Sequence, residues 1–257
     1  MKKTILITLI ALGFAACKKS TPDVLNKQNP TILNLIIGNE VDPEGFIQAY
    51  SLFNGENHQY SFYGYFKNLP DDTSCVDVGS ITANSQNVPI YSNENNNYKL
   101  SLVSGTSSTN NWLGNALNIN IAGNGGFVPQ TINHPNLNEF TTFTLSGISG
   151  LNNDFNKDDS LTISWNATNS SNAVYIELEY ILDTANPNSA HSTIKKYIQV
   201  TDNGIHKIPP SFFTDFPDNS LCLLNIYRGN YENYTASNEK HIGVLTYSKA
   251  SRKIHLM

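Results

Sequence analysis

Short stretches in which apolar and polar side chains alternate one by one recur along most of this chain, and a two-residue period is the mark of a strand with one buried face. Val174, Ile176, Leu178, Tyr180 and Leu182 alternate with Tyr175, Glu177, Glu179 and Ile181. Leu161, Ile163 and Trp165 alternate with Thr162 and Ser164, and Leu117, Ile119 and Ile121 with Asn118 and Asn120. No stretch of the first half after residue 30 shows a 3.6-residue period. Composition points the same way: 36 asparagines, 16 glycines and 11 prolines break helices, while only 14% of the 257 residues are charged. The reading is all-β.

Further strands are expected over Ile32–Ile37, Phe46–Phe53, Tyr60–Phe66, Val76–Ala83, Val88–Tyr91 and Tyr98–Val103 in the first half. Asn54-Gly55 marks a turn between two of them. The second half adds Phe140–Leu145, Ile194–Val200, Leu221–Tyr227 and Ile242–Tyr247, with a tight hairpin turn at Asn203-Gly204 and a turn of helix at Pro210–Phe213. Between them, residues 129–138 carry two prolines and no apolar periodicity, which places a linker there. The expected organisation is a leader over 1–16, a tether over 17–30, one β-sandwich over 31–128 and a second over 139–257. Six or seven short strands in the second half match a Greek-key sandwich.

The leader is an address. Met1-Lys2-Lys3 is positive, Thr4–Ala16 is nearly all apolar but too short to span a bilayer, and Ala15-Ala16 precede Cys17. This resembles a bacterial lipoprotein signal, which implies cleavage before Cys17 and diacylglycerol and palmitate on that residue. Phe14 stands where such signals usually carry Leu, Val or Ile. Cys17-Lys18-Lys19-Ser20 and the Asn- and Tyr-rich body resemble lipoproteins of the Bacteroidota, implying a lipid anchor in the outer membrane of the cell envelope, on its periplasmic or surface face. An oxidising envelope permits a disulfide between the other cysteines, Cys75 and Cys222, but cysteines in separate domains rarely meet; Cys222 reads as a buried free thiol.

Asp159–Trp165 followed by Val174–Tyr180 resembles paired strands of immunoglobulin-like and fibronectin type III modules, in which a Trp packs into the core. The two cysteines of antibody domains have no counterpart within either half. A shared fold implies no activity.

Chemistry-bearing patterns are few. His58, His134, His191, His206, His241 and His255 are scattered, and no zinc, phosphate-loop, dinucleotide or serine-hydrolase motif is present. Net charge is −5, with 16 basic against 21 acidic residues, which argues against a nucleic-acid partner. Asp154, Asn156 and Asp158 match the first ligand positions of a calcium loop, but Asp159 and Trp165 stand where its turn Gly and closing Glu belong. Tyr227–Tyr234 reads as a loop beyond a strand ending near Tyr227. There Arg228, Asn230, Tyr231 and Tyr234 offer flat rings and hydrogen-bonding groups to a sugar or a protein. Glu177 and Glu179 read as solvated acids on an outer strand face. Ser160 and Thr184 sit in Asp-Ser/Thr-apolar triplets that resemble O-glycosylation sequences of Bacteroidota envelope proteins. The functional expectation is a membrane-anchored, non-catalytic binding, adhesion or scaffolding module with a protein or glycan ligand and no cofactor. A carbohydrate-capture accessory protein and an envelope hydrolase are the alternatives.

Overall fold

The computed structural model describes residues 43–103, 112–150, 153–168, 173–183 and 194–257. The leader, Cys17, the tether, the strand expected at Ile32–Ile37 and Thr184 lie outside the described residues.

Sixteen strands are described: β1 (Gly45–Phe53), β2 (His58–Phe66), β3 (Ile81–Ala83), β4 (Gln86–Val88), β5 (Ile90–Tyr91), β6 (Asn97–Val103), β7 (Leu117–Ile121), β8 (Gln130–His134), β9 (Phe143–Ser146), β10 (Asp154–Phe155), β11 (Leu161–Trp165), β12 (Ala173–Asp183), β13 (Lys195–Thr201), β14 (Ile205–Ile208), β15 (Ser220–Thr235) and β16 (His241–Leu256). Two 3-10 turns, at Ser92–Glu94 and Pro210–Phe212, complete them, and there is no α-helix among the described residues.

One large sheet runs through the molecule in the order β13-β12-β15-β16-β1-β2-β6-β5, with β10 added beside β16. Two small sheets, β4-β3-β7-β8 and β14-β11-β9, pack against it. Both lie on the same face, as β16 shows. Its even-numbered Ile242 and Val244 enter the core beneath the four-stranded sheet with Ile47, Phe62, Phe66, Ile119 and Trp112. Its even-numbered Ala250, Ile254 and Leu256 enter the core beneath the three-stranded sheet with Leu161, Ile163, Trp165, Ile176 and Ile226. A strand's side chains change face at every residue, so residues of one parity share one side.

The all-β sandwich is what the chain adopts, with one difference from two tandem modules: the large layer is common to both halves. The first strand of the described chain, β1, pairs in parallel with the last, β16, residue by residue from Gly45↔Ile242 to Phe53↔Ala250. The β15–β16 hairpin, about 50 Å long at ~3.3 Å per residue, serves both cores. The segment expected as a linker is also partly a strand. Residues 130–134 form β8, burying Ile132 and His134 against the facing layer.

The turns follow their residues. At Asn54-Gly55 the Asn54 Oδ1 accepts from the Glu56 and Asn57 amides at 3.1 and 2.9 Å, and Gly55 takes φ +99°. Gly204 also has a positive φ, but this turn carries the chain from β13 in the large sheet to β14 in the small one. It is therefore a crossing between layers, in contrast to the flat hairpin expected. Cys75 and Cys222 are both free thiols, Cys222 fully buried with its pKa pushed up to about 11 by desolvation.

Candidate functional site

Between the two cores the sandwich interior is polar. Along β16, Thr246 and Ser248 stand where apolar residues stand on either side, and both are buried. Ser248 Oγ meets Ser51 Oγ at 3.0 Å and accepts from the Phe140 amide at 2.9 Å. His134 Nε2 lies 3.1 Å from Thr246 Oγ1 and Nδ1 3.1 Å from Tyr234 Oη, whose proton goes to Glu232 Oε2 at 2.6 Å. Burial lowers the His134 pKa to about 4. Near the β2 edge, Glu139 accepts from Tyr60 Oη at 3.1 Å and pairs with His58 at 2.9 Å.

The densest part of this seam surrounds Arg228, which is 1% exposed. Its guanidinium binds Asp202 through Nε and Nη2, both at 2.9 Å. It also donates to the carbonyls of Asn166 at 2.7 Å and Asn138 at 3.2 Å, and lies 4.4 Å from the Phe140 ring centroid. Asp202 accepts in addition from Trp165 Nε1 at 2.8 Å and Thr168 Oγ1 at 2.6 Å. Desolvation lowers the Arg228 pKa, with Asp202 acting against it. Each charged group here has a protein partner, Arg228 Nε through its ion pair alone, and the cluster holds the layers together.

The opposite face of the large sheet has a different character. Strand register places Gln199, Tyr175, Tyr227, Lys249, Leu52 and Gln59 in one row across the sheet. The neighbouring rows are Gly229, Tyr247, Tyr50 and Ser61, and then Tyr231, Leu245, Gln48, Tyr63 and Lys99. Phe46 and Tyr65 follow beside Gly243. With Tyr91 and Tyr197, nine of the thirteen tyrosines point to this side. Of the phenylalanines in the described residues only Phe46 does; the others pack in the two cores. Tyrosine combines an apolar body with a wet tip, so it suits a surface that is covered part of the time. The rings lie close: Tyr50 stacks on Tyr247 at 4.8 Å, with Phe46–Tyr65 at 5.7 Å and Tyr63–Tyr65 at 6.2 Å. Among the described residues, neither small sheet lies on this side.

At one end of this face sits Glu177, expected as a solvated acid but 2% exposed. It accepts from Asn225 Nδ2 at 2.8 Å and from Tyr227 Oη, with Lys195 Nζ at 3.8 Å. Ser251 Oγ in turn donates to Asn225 at 2.6 Å. Burial, followed by Glu177, raises the Tyr197 pKa to about 12 and pushes the Tyr227 pKa still higher. The strand had to be read together with β13 and β15 to see this: its two neighbouring strands supply the partners.

The expected binding loop is not a loop. Strand β15 continues to Thr235 and pairs with β16 along its whole length. Alternation sends Tyr231 to the tyrosine face and Tyr234 to the sandwich interior, where it packs at the edge of a core. Arg228 is buried in the seam, and Asn230 lies on the same interior parity, so the four residues do not converge on one ligand. The segment misled because its interior positions, Arg228, Asn230, Glu232 and Tyr234, line the polar seam and look like loop residues. The calcium candidates have separate local partners. Asp154 in β10 meets His255 Nδ1 at 2.9 Å, while Asn156 Oδ1 accepts from the Asp158 amide at 3.1 Å. Among the described residues there is no group of three His, Cys, Asp or Glu side chains able to hold a metal. Asp158 and Ser160 line a shallow, open hollow of about 540 Å³ with Ser146, Thr162 and Lys207. The signal that would have revealed the tyrosine face is the segregation of Tyr from Phe by parity, visible already in Phe62, Tyr63, Tyr65 and Phe66.

No family model and no curated protein matches the chain. Among solved structures it is similar to the chicken CNTN1 FN1–FN3 domains, at 8% identity and a TM-score of 0.22, over 80% of this chain and 68% of that one. No helix among the described residues is long and apolar enough to cross a membrane.

Proposed function

We propose that this chain is a lipoprotein held in the outer membrane through Cys17, and that it acts as a non-catalytic binding module through the tyrosine face of its large sheet. The observation that carries the binding role is the gathering of nine tyrosines on the face of the large sheet opposite both small sheets, where Tyr175, Tyr227 and Tyr247 are buried and Tyr50, Tyr63, Tyr65, Tyr91, Tyr197 and Tyr231 keep exposed surface. The anchor rests on the leader and the position of Cys17. An immunoglobulin-like sandwich is compatible with binding or scaffolding and demands no chemistry. The buried polar seam, which has the residue types of a catalytic site, has most of its polar groups paired from within.

Two measurements test this. Cys17→Ala is expected to release the protein from the membrane fraction and abolish palmitate labelling; unchanged attachment without label would overturn the anchor. Tyrosine nitration of the protein in its native envelope, compared with the purified chain, is expected to show protection at Tyr63, Tyr65 and Tyr91. Equal reactivity in both settings would overturn the binding face.

A further inference from the structure

Charge decides which class of ligand the tyrosine face fits. The chain carries a net −5, yet the carboxylates on this face are each satisfied locally. Glu177 is held by Tyr227, Asn225 and Lys195; Glu179 by Lys195 at 2.7 Å; Glu94 by Lys99. At the two ends, Asp154 meets His255, and Glu44 accepts from the His241 amide at 2.9 Å. The lysines are drawn onto rings: Lys249 Nζ lies 5.1 Å from the Tyr227 centroid, Lys67 5.6 Å from Tyr65 and Lys99 6.0 Å from Tyr63. What the face offers is phenol rings and hydroxyls, the amides of Gln48 and Gln59, and balanced charge.

We propose that this face, read as a binding surface above, takes a neutral polysaccharide. The part-exposed rings of Phe46, Tyr65 and Tyr63, at 5.7 and 6.2 Å centroid spacing and tilted to one another, give a patch on the scale of successive sugar rings, beside the stacked Tyr50–Tyr247 pair. Phenol and amide groups at their edges match hydroxyls, which are donor and acceptor at once. A polyanion would find Lys67, Lys99, Lys195 and Lys249 already engaged by rings and carboxylates, leaving it little beyond the exposed Lys253. A membrane surface would want aliphatic side chains, and the rows described here supply only Leu52 and Leu245. A sheet presents its rows across strands ~4.8 Å apart, so an extended chain can cross several strands in contact throughout.

The test is affinity electrophoresis of the full chain in detergent, against laminarin, glucomannan and dextran as neutral probes and polygalacturonate as the acidic one. At least one neutral glycan is expected to retard the protein equally at low and high salt, since no charge pair is formed. Tyr63→Ala with Tyr65→Ala is expected to weaken that retardation by about tenfold, with the melting temperature nearly unchanged because both rings are half-exposed. Tyr63→Phe with Tyr65→Phe keeps the rings and should retain most of it. Retardation by polygalacturonate alone, abolished by salt, would overturn the neutral-ligand inference while leaving the binding face intact. Retardation by no glycan, with tyrosine protection in the envelope still observed, would do the same and point to a protein ligand. Neutral-glycan binding unaffected by the double alanine variant would overturn the inference and the face together.

Discussion

Tyr231 packs over Gly243, and that single contact shows how tightly the tyrosine face is fitted. A Cβ built on Gly243 would stand 2.8 Å from Tyr231 Oη and 3.1 Å from its Cε2. Because the two nearest atoms are the far end of a side chain, with Pro43 Cγ beyond them at 3.3 Å, Gly243→Ala should cost only about 1 kcal/mol while lifting the ring outward. Burial holds the Tyr231 pKa near 12; in the variant it should fall toward the ordinary value for a phenol, which ultraviolet pH titration reads. A titration identical to the parent would mean that the ring is placed by something other than the missing side chain. His134 makes the complementary case inside the seam. Its folded-state pKa, lowered to about 4, lies below the unfolded value near 6.5. Above pH 6.5 neither state is protonated and the ring costs nothing. Between pH 6.5 and 4 the unfolded chain takes up a proton that the folded chain refuses, so stability falls by about 3 kcal/mol across that window and then levels. The groups facing it, Tyr234, Thr246 and Glu232, include one carboxylate, whose charge acts against the shift. Urea unfolding at pH 7 and pH 4.5 should show this loss, and His134→Gln should remove most of it. A His134→Gln profile as steep as the parent's would assign the pH dependence elsewhere.

At the level of strands, what could be read from the sequence was what alternation reports. Strands β7, β11 and β12 lie where the two-residue period placed them, and Leu161, Ile163 and Trp165 do face the core. The period fails as a guide when an interior position is polar. Strand β8 has Ile132 as its one apolar residue and so reads as linker; the end of β15 reads as a loop because Arg228, Asn230 and Glu232 sit at interior positions. Long-range pairing leaves no local trace at all, so the parallel join of β1 to β16 could not be foreseen. The same strands carry an energetic prediction. Arg228 comes from β15, Trp165 from β11 and Asp202 from the end of β13, so an ion pair on the large layer, extended by the Trp165 hydrogen bond to Asp202, fastens that layer to the small one. Arg228→Met should cost about 3–5 kcal/mol, because it strands a buried carboxylate. Adding Asp202→Asn should recover at least about 1 kcal/mol of that loss, since the remaining Trp165 and Thr168 donors need only a neutral acceptor. Urea midpoints for the three proteins test it. A double variant less stable than Arg228→Met would show that Asp202 matters to its other partners more than to the arginine.

Over the whole molecule, the shared sheet changes what a domain means in this chain. A fragment ending near residue 138 would lack β16, leaving Ile47 and Ala49 on a strand with no neighbour on one side. A fragment starting at 139 would keep the β15–β16 hairpin but expose Ile242 and Val244, and would lose Phe53, which β1 contributes to the second core. Each half therefore depends on backbone supplied by the other, and unfolding one exposes apolar surface of both. The two tryptophans offer a direct reading of this coupling. Trp112 lies in the first core, 1% exposed and edge-on to Phe62 at 5.6 Å; Trp165 lies in the second, 5% exposed. Trp165→Phe leaves a chain whose fluorescence reports only the first core, and Trp112→Phe one that reports only the second. Each substitution shifts the midpoint somewhat on its own account, so each variant should also be followed by far-ultraviolet dichroism, which sees all strands. The expectation is that in both variants the fluorescence and dichroism transitions coincide, as one cooperative unit requires. If the halves were separate domains, the dichroism curve would split into two steps, with Trp112 following one and Trp165 the other. The shared hairpin would then be too weak to couple the cores, and the polar seam would be the place where they part.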